Sequence, residues 1–265
     1  MALGTRADRA RMSKTGPVVE THALGRRFGS VVAVADLSIT IAPGETFALI
    51  GPNGAGKSSL MKMLTTLLPP TAGDARVAGY DIRGEPQQVR RHIGYVPQLP
   101  SADTELTGYE NMLLSARLYL LPARERRSRI AEALTLMELS DARDRAVGTY
   151  SGGMARRLEI AQSTLHRPAV LFLDEPTVGL DPNGRLAVWS HVRRLRRETG
   201  AAIVFSTHYM EEAEDLADRV ALISRGRLAA VGTVAELKNA HGAASLDALF
   251  TKLTGAALSP TAVRL

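Results

Sequence analysis

The sequence contains no cysteine, which excludes a disulfide framework, a thiolate metal site and a cysteine nucleophile. This absence is also typical of a reducing, cytosolic setting. No window approaches the ~18 uninterrupted apolar residues of a membrane-spanning helix, because the longest apolar runs, at residues 169–173 and 201–205, are only of strand length. We therefore expect a chain that does not itself cross a membrane.

The composition is that of a globular protein, with 265 residues of which 45% are hydrophobic and 23% charged, and with a net charge of +6. This excess of positive charge permits nucleic acid, an anionic membrane surface or nucleotide phosphate as a partner, and does not choose among them. Residues 1–17 are basic but contain no apolar segment, so they are not a secretory signal. We expect them to form a flexible arm.

Short apolar runs alternate with turn signals and with helical periodicity along most of the chain. Residues 18–50 predict successive strands, the last of which leads into a glycine-rich loop, and residues 58–68 predict a helix. A middle stretch, residues 105–164, has a period near 3.6 and no convincing strand. The later part predicts strands at 169–173 and 201–206, helices at 184–198 and 210–217, a hairpin over 219–232, and two short helices beginning near Thr233 and Ser245. This order predicts an α/β sheet with a helical insertion.

The segment GPNGAGKS at residues 51–58 satisfies the pattern G-x-x-x-x-G-K-[ST] between a predicted strand and a predicted helix. Glycines allow backbone N–H groups to converge on phosphate oxygens, and the helix N-terminus adds positive potential. Lys57 is expected to reach the β- and γ-phosphates, and the Ser58 hydroxyl to coordinate Mg²⁺. The predicted nucleotide-binding residues are Gly51, Asn53, Gly54, Ala55, Gly56, Lys57, Ser58 and Ser59.

A second part of the site is predicted where the strand VLFLD ends in two carboxylates. Asp174 is expected to hold Mg²⁺ through water, because a metal-orienting carboxylate belongs at the carboxyl edge of the sheet beside the phosphate loop. Glu175 follows directly and is placed to polarise a water that attacks the γ-phosphate.

With these residues the chain resembles the ATP-binding subunit of an ABC transporter over residues 18–255. The most specific likeness is the segment SGG at residues 151–153, followed by MARRLEIAQ, which stands between Lys57 and Asp174 as the LSGGQ signature does in this family. A serine cap and two glycines at a helix start form another anion site. The resemblance implies that Ser151, Gly152 and Gly153 face the γ-phosphate bound by a second copy, so that the active unit is a head-to-tail homodimer with two ATP molecules at its interface.

The resemblance implies roles for four further residues. Gln98 corresponds to the Q-loop glutamine, which touches Mg²⁺ and joins the core to the helical subdomain. Asp181, in the segment GLD, corresponds to the D-loop, which meets its counterpart across the dimer. His208 corresponds to the switch histidine that contacts the γ-phosphate. Phe28 matches the aromatic residue that stacks on adenine, although an ordinary core phenylalanine remains the alternative.

The fold that the resemblance implies is an α/β P-loop NTPase. A RecA-like core sheet with an antiparallel β-subdomain would occupy residues 18–98 and 165–235, with an inserted α-helical signature subdomain at about 99–164. A short C-terminal helical tail would occupy 236–265. The sequence departs from the family pattern at Tyr150, where leucine is usual, and at Met154, where glutamine is usual. Met154 removes a possible hydrogen bond toward the nucleotide of the partner copy.

Three segments look most like the drug-resistance exporter ATPases, of which the daunorubicin-resistance subunits are representative: LTGYENMLLSARLYLLP, GGMARRLEIAQ and SLDALFTKLTG. This likeness implies ATP hydrolysis that powers export of a hydrophobic compound or drug. Transport would pass through separate permease subunits, with this chain a peripheral protein at the cytoplasmic face of the cell membrane. No nucleic-acid partner is expected, and membrane association would be indirect.

Two other functions compete with this interpretation. One is a soluble ABC-type ATPase acting on nucleic acid or ribosomes; against it, the interval between Lys57 and Ser151 leaves no room for a long coiled coil, and the chain carries one cassette. The other is a regulatory subunit that binds ATP without hydrolysing it, and the presence of Glu175 and His208 argues against that function.

Overall fold

A computed structural model describes residues 16–255 of the chain. Most of the arm expected at residues 1–17, and the end of the tail expected at 236–265, lie outside the described residues. The strands are β1 (Val19–Phe28), β2 (Val31–Leu37), β3 (Thr40–Ile41), β4 (Thr46–Ile50), β5 (Ala72–Val77), β6 (Tyr80–Asp81), β7 (Ile93–Val96), β8 (Val170–Asp174), β9 (Ala202–Thr207), β10 (Arg219–Ser224) and β11 (Arg227–Gly232).

The helices of the described residues are α1 (Lys57–Leu64), α2 (Pro86–His92), α3 (Gly108–Leu118), α4 (Ala123–Leu136), α5 (Gly152–Thr164), α6 (Pro182–Thr199), α7 (Met210–Leu216), α8 (Val234–His241) and α9 (Leu246–Thr254). None of them is long and apolar enough to span a bilayer. The short helix expected near Thr233 begins with a capping box, in which Thr233 Oγ1 accepts from the backbone N–H of Glu236 at 3.1 Å. This box fixes the start of α8.

The larger sheet has the strand order β11-β10-β4-β9-β8-β7, and all neighbours are parallel except the β10–β11 hairpin. Strand β4 lies centrally, and every residue of its sequence TFALI is buried. Its side chains alternate, so that Phe47 and Leu49 enter one apolar core and Ala48 and Ile50 the other. A strand covered on both faces must be apolar throughout, which is why this segment reads as a continuous hydrophobic run.

The two faces of the parallel sheet carry different layers. The smaller antiparallel sheet, ordered β2-β1-β5-β6 with β3 paired to β1, shares one core with helix α1. Helices α3, α4 and α5 share the opposite core with α6 and α9. The α/β sheet with a helical insertion is therefore confirmed, and the helical residues 108–164 fall within the stretch where the sequence has no convincing strand.

Helix α1 ends earlier than the expected residue 68, at Leu64. Thr65 Oγ1 bonds back to Met61 O at 2.8 Å, and Thr66 takes a left-handed backbone conformation with φ 64°. Threonine is a poor helix former. A β-branched residue such as Thr66 in the left-handed region of backbone conformation ends the helix. The apolar residues Leu67 and Leu68 that extended the prediction lie in the following turn.

Candidate nucleotide-binding site

The phosphate loop joins β4 to α1 at the carboxyl edge of the parallel sheet. At two positions of the loop only glycine fits, because the backbone of another strand lies where a Cβ would be. A Cβ on Gly51 would lie 2.2 Å from Ile223 O, and one on Gly56, where φ is 105°, would lie 2.4 Å from Ala33 O. The loop thus fits between strand β10 and strand β2, while Asn53 and Gly54 are exposed at its outer side. Ala55 is buried, and Ser59 is half-buried on α1.

Lys57 is held inside this loop. Its side chain is 4% exposed and Nζ donates to Gly51 O at 2.8 Å and to Pro52 O at 3.1 Å. Nζ also lies 3.3 Å from Glu175 Oε1. A buried ammonium requires such partners, since burying an unpaired charge is costly. The loop's own carbonyls and one carboxylate therefore fix the position of the cation.

Ser58 and Asp174 meet as expected for a metal site. Ser58 Oγ donates to Asp174 Oδ1 at 3.1 Å, and Ser206 Oγ donates to the same oxygen at 2.6 Å. A hydroxyl and a carboxylate are the hard oxygen ligands that Mg²⁺ takes together with substrate phosphates and water. Within residues 16–255 no three His, Asp or Glu side chains gather into a complete metal site. The donor set fits a metal shared with a nucleotide.

Glu175 is the point on which the site converges. Its side chain is 5% exposed, and its backbone is left-handed with φ 47°, a sparsely populated conformation that is found at functional sites. Gln98 Nε2 donates to Glu175 Oε2 at 3.0 Å, and His208 Nδ1 lies 3.7 Å from Oε1. Together with Lys57, three donor-bearing side chains are directed at one carboxylate, as donors to a phosphoryl group would be.

The buried Ser206 belongs to this site, and the half-buried Tyr95 lies on β7, beside the strand that ends in Asp174. Neither was found from the sequence. Ser206 lies opposite Asp174 in the β8–β9 register and accepts from the backbone N–H of Glu175 at 2.9 Å. Burial and then the negative charge of Asp174 raise the pKa of Tyr95 to about 12. No local pattern pointed to Ser206, because its contact with Asp174 depends on β9 lying next to β8 in the sheet.

The signature segment begins helix α5. Ser151 is its N-cap and accepts from Met154 N at 3.2 Å. Ser151 and Gly152 are exposed, and a Cβ on Gly152 would lie 3.1 Å from Leu180 Cδ2. The loop that contains Asp181 is therefore the neighbour of the signature segment within one chain. Gly153 is half-buried beside α6, where a Cβ would lie 3.5 Å from Gly184 Cα.

Asp181 stabilises the start of a helix within its own chain. It is the N-cap of α6, and its Oδ1 accepts from Gly184 N at 2.6 Å. Such a cap satisfies one of the free N–H groups of the helix start. The contact expected from the resemblance, with a counterpart across a dimer, stays a prediction.

Tyr150, which replaces the usual leucine, is anchored by its hydroxyl. Tyr150 OH donates to Ala142 O at 2.7 Å, and a Cβ on Gly108 would lie 2.2 Å from that hydroxyl oxygen. Burial is the main cause that raises the pKa of Tyr150 above its ordinary value. Gly108 at the start of α3 thus accommodates the larger residue.

Phe28 ends strand β1, and its side chain is 44% exposed, so the alternative of an ordinary core phenylalanine is wrong. The guanidinium of Arg26 lies over its ring, 4.4 Å from the centroid, while Arg26 Nη1 donates to Pro69 O at 2.8 Å. One ring face is therefore covered by a cation. The remaining exposed surface is suited to a flat base.

Three arginines on α6 pair with acidic neighbours. Arg193 pairs with Asp215, Arg194 with Glu198 at 2.9 Å, and Arg196 with Asp218 at 2.7 Å. Paired surface charges of this kind do not form a cationic path for a nucleic-acid backbone.

Comparison with known proteins gives consistent results. A family model described as "ABC transporter" matches residues 34–178. The chain is 46% identical over 224 residues, 84% of its length, to the daunorubicin/doxorubicin resistance ATP-binding protein DrrA of Streptomyces peucetius, of which it covers 68%. Among solved structures, an ATP-binding subunit of an ABC transporter has 31% identity and a TM-score of 0.79, with 89% of this chain and 99% of that one covered.

A dimeric ATP-binding cassette, MJ0796, in a post-hydrolysis state with ADP and Pi, is similar as well. Its TM-score is 0.72 at 25% identity, and the match covers 81% of this chain and 98% of that one.

Proposed function

The chain belongs to the ABC transporter family, and on this premise we propose that it hydrolyses ATP as one half of a homodimer and drives export of an apolar compound through a separate permease. The observation that carries the proposal is the convergence of Lys57, Gln98 and His208 on Glu175, beside the Ser58–Asp174 pair. The names of relatives such as DrrA support the export of drug-like compounds.

In the proposed binding mode the backbone N–H groups of the phosphate loop cradle the β-phosphate, and Lys57 binds the β- and γ-phosphates. Phe28 stacks on adenine. Ser58 and Asp174 would hold Mg²⁺, the latter through water, with Gln98 completing the set. When bound, the ion would neutralise charge that develops on the phosphoryl group in the transition state.

Hydrolysis then proceeds by in-line attack. Glu175 accepts a proton from water as the water oxygen bonds to the γ-phosphorus and the bond to the ADP oxygen breaks. His208 contacts the transferred phosphoryl group and keeps the attacking water in line. Because Glu175 contacts Lys57, Gln98 and His208, its carboxylate must exchange these contacts when a phosphate takes them.

The Ser151–Gly153 segment, exposed at Ser151 and Gly152, supports a site shared between two copies. Its free helix N-terminus suits an anion, and in the proposed dimer it closes over the γ-phosphate held by the partner. ATP then joins the two copies, and hydrolysis with phosphate release separates them, which is a ligand-biased two-state equilibrium.

A permease contact is supported by exposed leucines in the loop of Gln98, on helix α3 and just after it. Leu99, Leu118 and Leu120 are 76%, 73% and 75% exposed, and Leu114 lies one turn before Leu118 on α3. A group of exposed large apolar side chains marks an interaction surface. We place the permease there. Nucleic acid as a partner, the competing function, is not favoured, because three of the arginines of α6 are paired with acids.

The test is affinity capture of the chain after gentle detergent extraction of native membranes. We expect a stoichiometric multi-spanning protein in the captured material and ATPase activity that rises in its presence. The double variant Leu114→Glu with Leu118→Glu should lose that protein, whereas Leu67→Glu, at a leucine exposed after α1, should retain it. Recovery of only soluble or nucleic-acid-associated partners would contradict the transport function and leave ATP hydrolysis standing.

A further inference from the structure

A buried ion pair lies on helix α5, outside the phosphate site. Arg156 and Glu159 are 6% and 4% exposed, and Arg156 Nη1 donates to Glu159 Oε2 at 2.8 Å. Such charges are almost never fully buried unless paired. A buried pair is also weak evidence for stability, because the desolvation of both ions opposes their attraction. What the pair contacts therefore matters more than the pair itself.

Arg156 holds the first part of the loop that follows β7. Its Nη1 donates to Pro97 O at 2.8 Å, and its Nη2 donates to Gln98 O at 2.9 Å. Only a planar guanidinium presents several N–H groups in a fixed fork, so one side chain binds two successive carbonyls and a carboxylate at once.

Glu159 holds the other end of the same loop. Its Oε1 accepts from Ser101 Oγ at 3.1 Å and from Ala102 N at 3.3 Å, and also from Ser101 N. The loop residues 98–101 are exposed, so the buried side chains of Arg156 and Glu159 hold an exposed segment by hydrogen bonds. These charge-assisted bonds are stronger than neutral ones.

A continuous path of direct contacts results. The side chain of Gln98 binds Glu175, while its backbone carbonyl binds Arg156. Arg156 lies on α5 about 8 Å along the axis from the capping residue Ser151, at a rise of 1.5 Å per residue. A helix of this length moves as a rigid rod, so a displacement of the loop reaches the signature segment.

We propose that Arg156 and Glu159 are positioning residues that make helix α5, with the signature segment at its start, follow the Gln98 loop when Gln98 leaves Glu175 for the nucleotide. One copy's own ATP then orients the Ser151–Gly153 segment that the partner's ATP requires. This inference rests on the proposed function, because it assumes that the signature segment serves the second copy.

The test replaces both charges by apolar residues of similar size, Arg156→Met with Glu159→Leu, which leaves no unpaired charge. The matched control is Arg157→Met, because the neighbouring arginine binds Met137 O within the helical region at 2.7 Å instead of the loop. We expect the double variant to keep its ATP Kd and its unfolding midpoint close to those of the control, while kcat falls by about tenfold, within the range of measured coupling energies.

A second readout separates positioning from structural support. In a Glu175→Gln background, the double variant should need about tenfold more ATP than the control to form a dimer. Arg156→Lys keeps the charge but loses the forked N–H groups of the guanidinium. Its ATP requirement for dimer formation should therefore lie between those of the double variant and the control. If the double variant does not fold, Glu159→Gln takes its place, and its kcat and ATP dependence of dimer formation are compared with those of Arg157→Met.

Equal kcat and equal ATP dependence of dimer formation in the double variant and the control would overturn the inference. So would a fall in kcat that only matches a fall in ATP affinity and stability. These results are distinct from failure of the proposed function, in which the unsubstituted chain itself would show no ATP-dependent dimer.

Discussion

The Glu175 side chain is buried, its backbone is left-handed, and its carboxylate accepts a hydrogen bond from Gln98 and lies near the nitrogens of Lys57 and His208. Replacing it by glutamine removes its basicity and keeps its shape. We predict that Glu175→Gln lowers kcat for phosphate release at least about 100-fold, because loss of a general base costs this much. ATP binding should persist, since the amide still accepts hydrogen bonds from its neighbours. Steady-state phosphate release measures the fall in kcat, and equilibrium ATP titration measures whether binding persists. Equal rates in variant and unsubstituted chain would contradict the role of Glu175.

Phe28 tests the adenine contact. Replacing it by alanine removes the ring that Arg26 supports, and aromatic stacking on a base contributes about 1–3 kcal/mol. We expect Phe28→Ala to raise the Kd for ATP about tenfold and Phe28→Tyr to leave it nearly unchanged. Inorganic triphosphate, which has no base, is the control ligand. An equal loss of affinity for triphosphate and ATP would show that the ring acts on the loop and not on adenine.

The start of α3 packs against the residue that precedes α5, because the Tyr150 hydroxyl lies close to Gly108. A methyl group on Gly108 would displace the Tyr150 hydroxyl from Ala142 O, so Gly108→Ala should destabilise the fold by about 1–3 kcal/mol. Tyr150→Phe removes the clashing hydroxyl and should recover most of that loss in the double variant. Urea unfolding of the two single variants and the double variant gives the coupling energy. Strict additivity of the two effects would contradict the contact.

His166, after α5, joins that helix to strand β7. Its ring stacks on Tyr119 with centroids 3.9 Å apart, and Nε2 binds Ile93 O at 2.8 Å. Burial lowers the pKa of His166 to about 4. The unfolded chain, with a histidine pKa near 6.5, therefore binds more protons between these values, and stability falls as the pH drops through that window.

We predict that His166 accounts for a loss of about 2 kcal/mol in unfolding free energy between pH 7 and pH 5. His166→Gln removes the titration, and its amide can still donate to Ile93 O. Urea unfolding of both proteins at the two pH values measures the difference. The same pH dependence in variant and unsubstituted chain would assign the effect to other groups.

What the sequence could predict depended on how local each feature is. The phosphate loop and the Asp174–Glu175 pair have fixed spacing next to a strand, and the structure brings them together as expected. Ser206 and the Arg156–Glu159 grip on the Gln98 loop depend on which distant segments meet, so no local pattern announced them. The exposure of Phe28 likewise follows from the position of β1 in the antiparallel sheet and not from its neighbours in sequence.

At the level of the whole molecule, the prediction of an ABC transporter ATP-binding subunit with a P-loop fold is confirmed by the family match and the structural neighbours. The predicted domain boundaries and the roles of individual site residues stay predictions. Within one chain the phosphate loop and the signature segment belong to different layers: α1 shares its core with the antiparallel sheet and α5 with the helical layer. In the proposed dimer, ATP on one copy is enclosed by the signature segment of the other.

Sedimentation velocity of Glu175→Gln with Mg²⁺ and either ATP or ADP tests whether ATP is enclosed in this way. We predict a dimer with ATP and a monomer with ADP. Adding Gly152→Glu, at an exposed position of the signature segment, should abolish the dimer because its carboxylate repels the γ-phosphate, whereas Ser128→Glu, on the exposed side of α4, should leave it intact. A chain that binds ATP and remains a monomer, or a dimer that is indifferent to Gly152→Glu, would contradict the shared site.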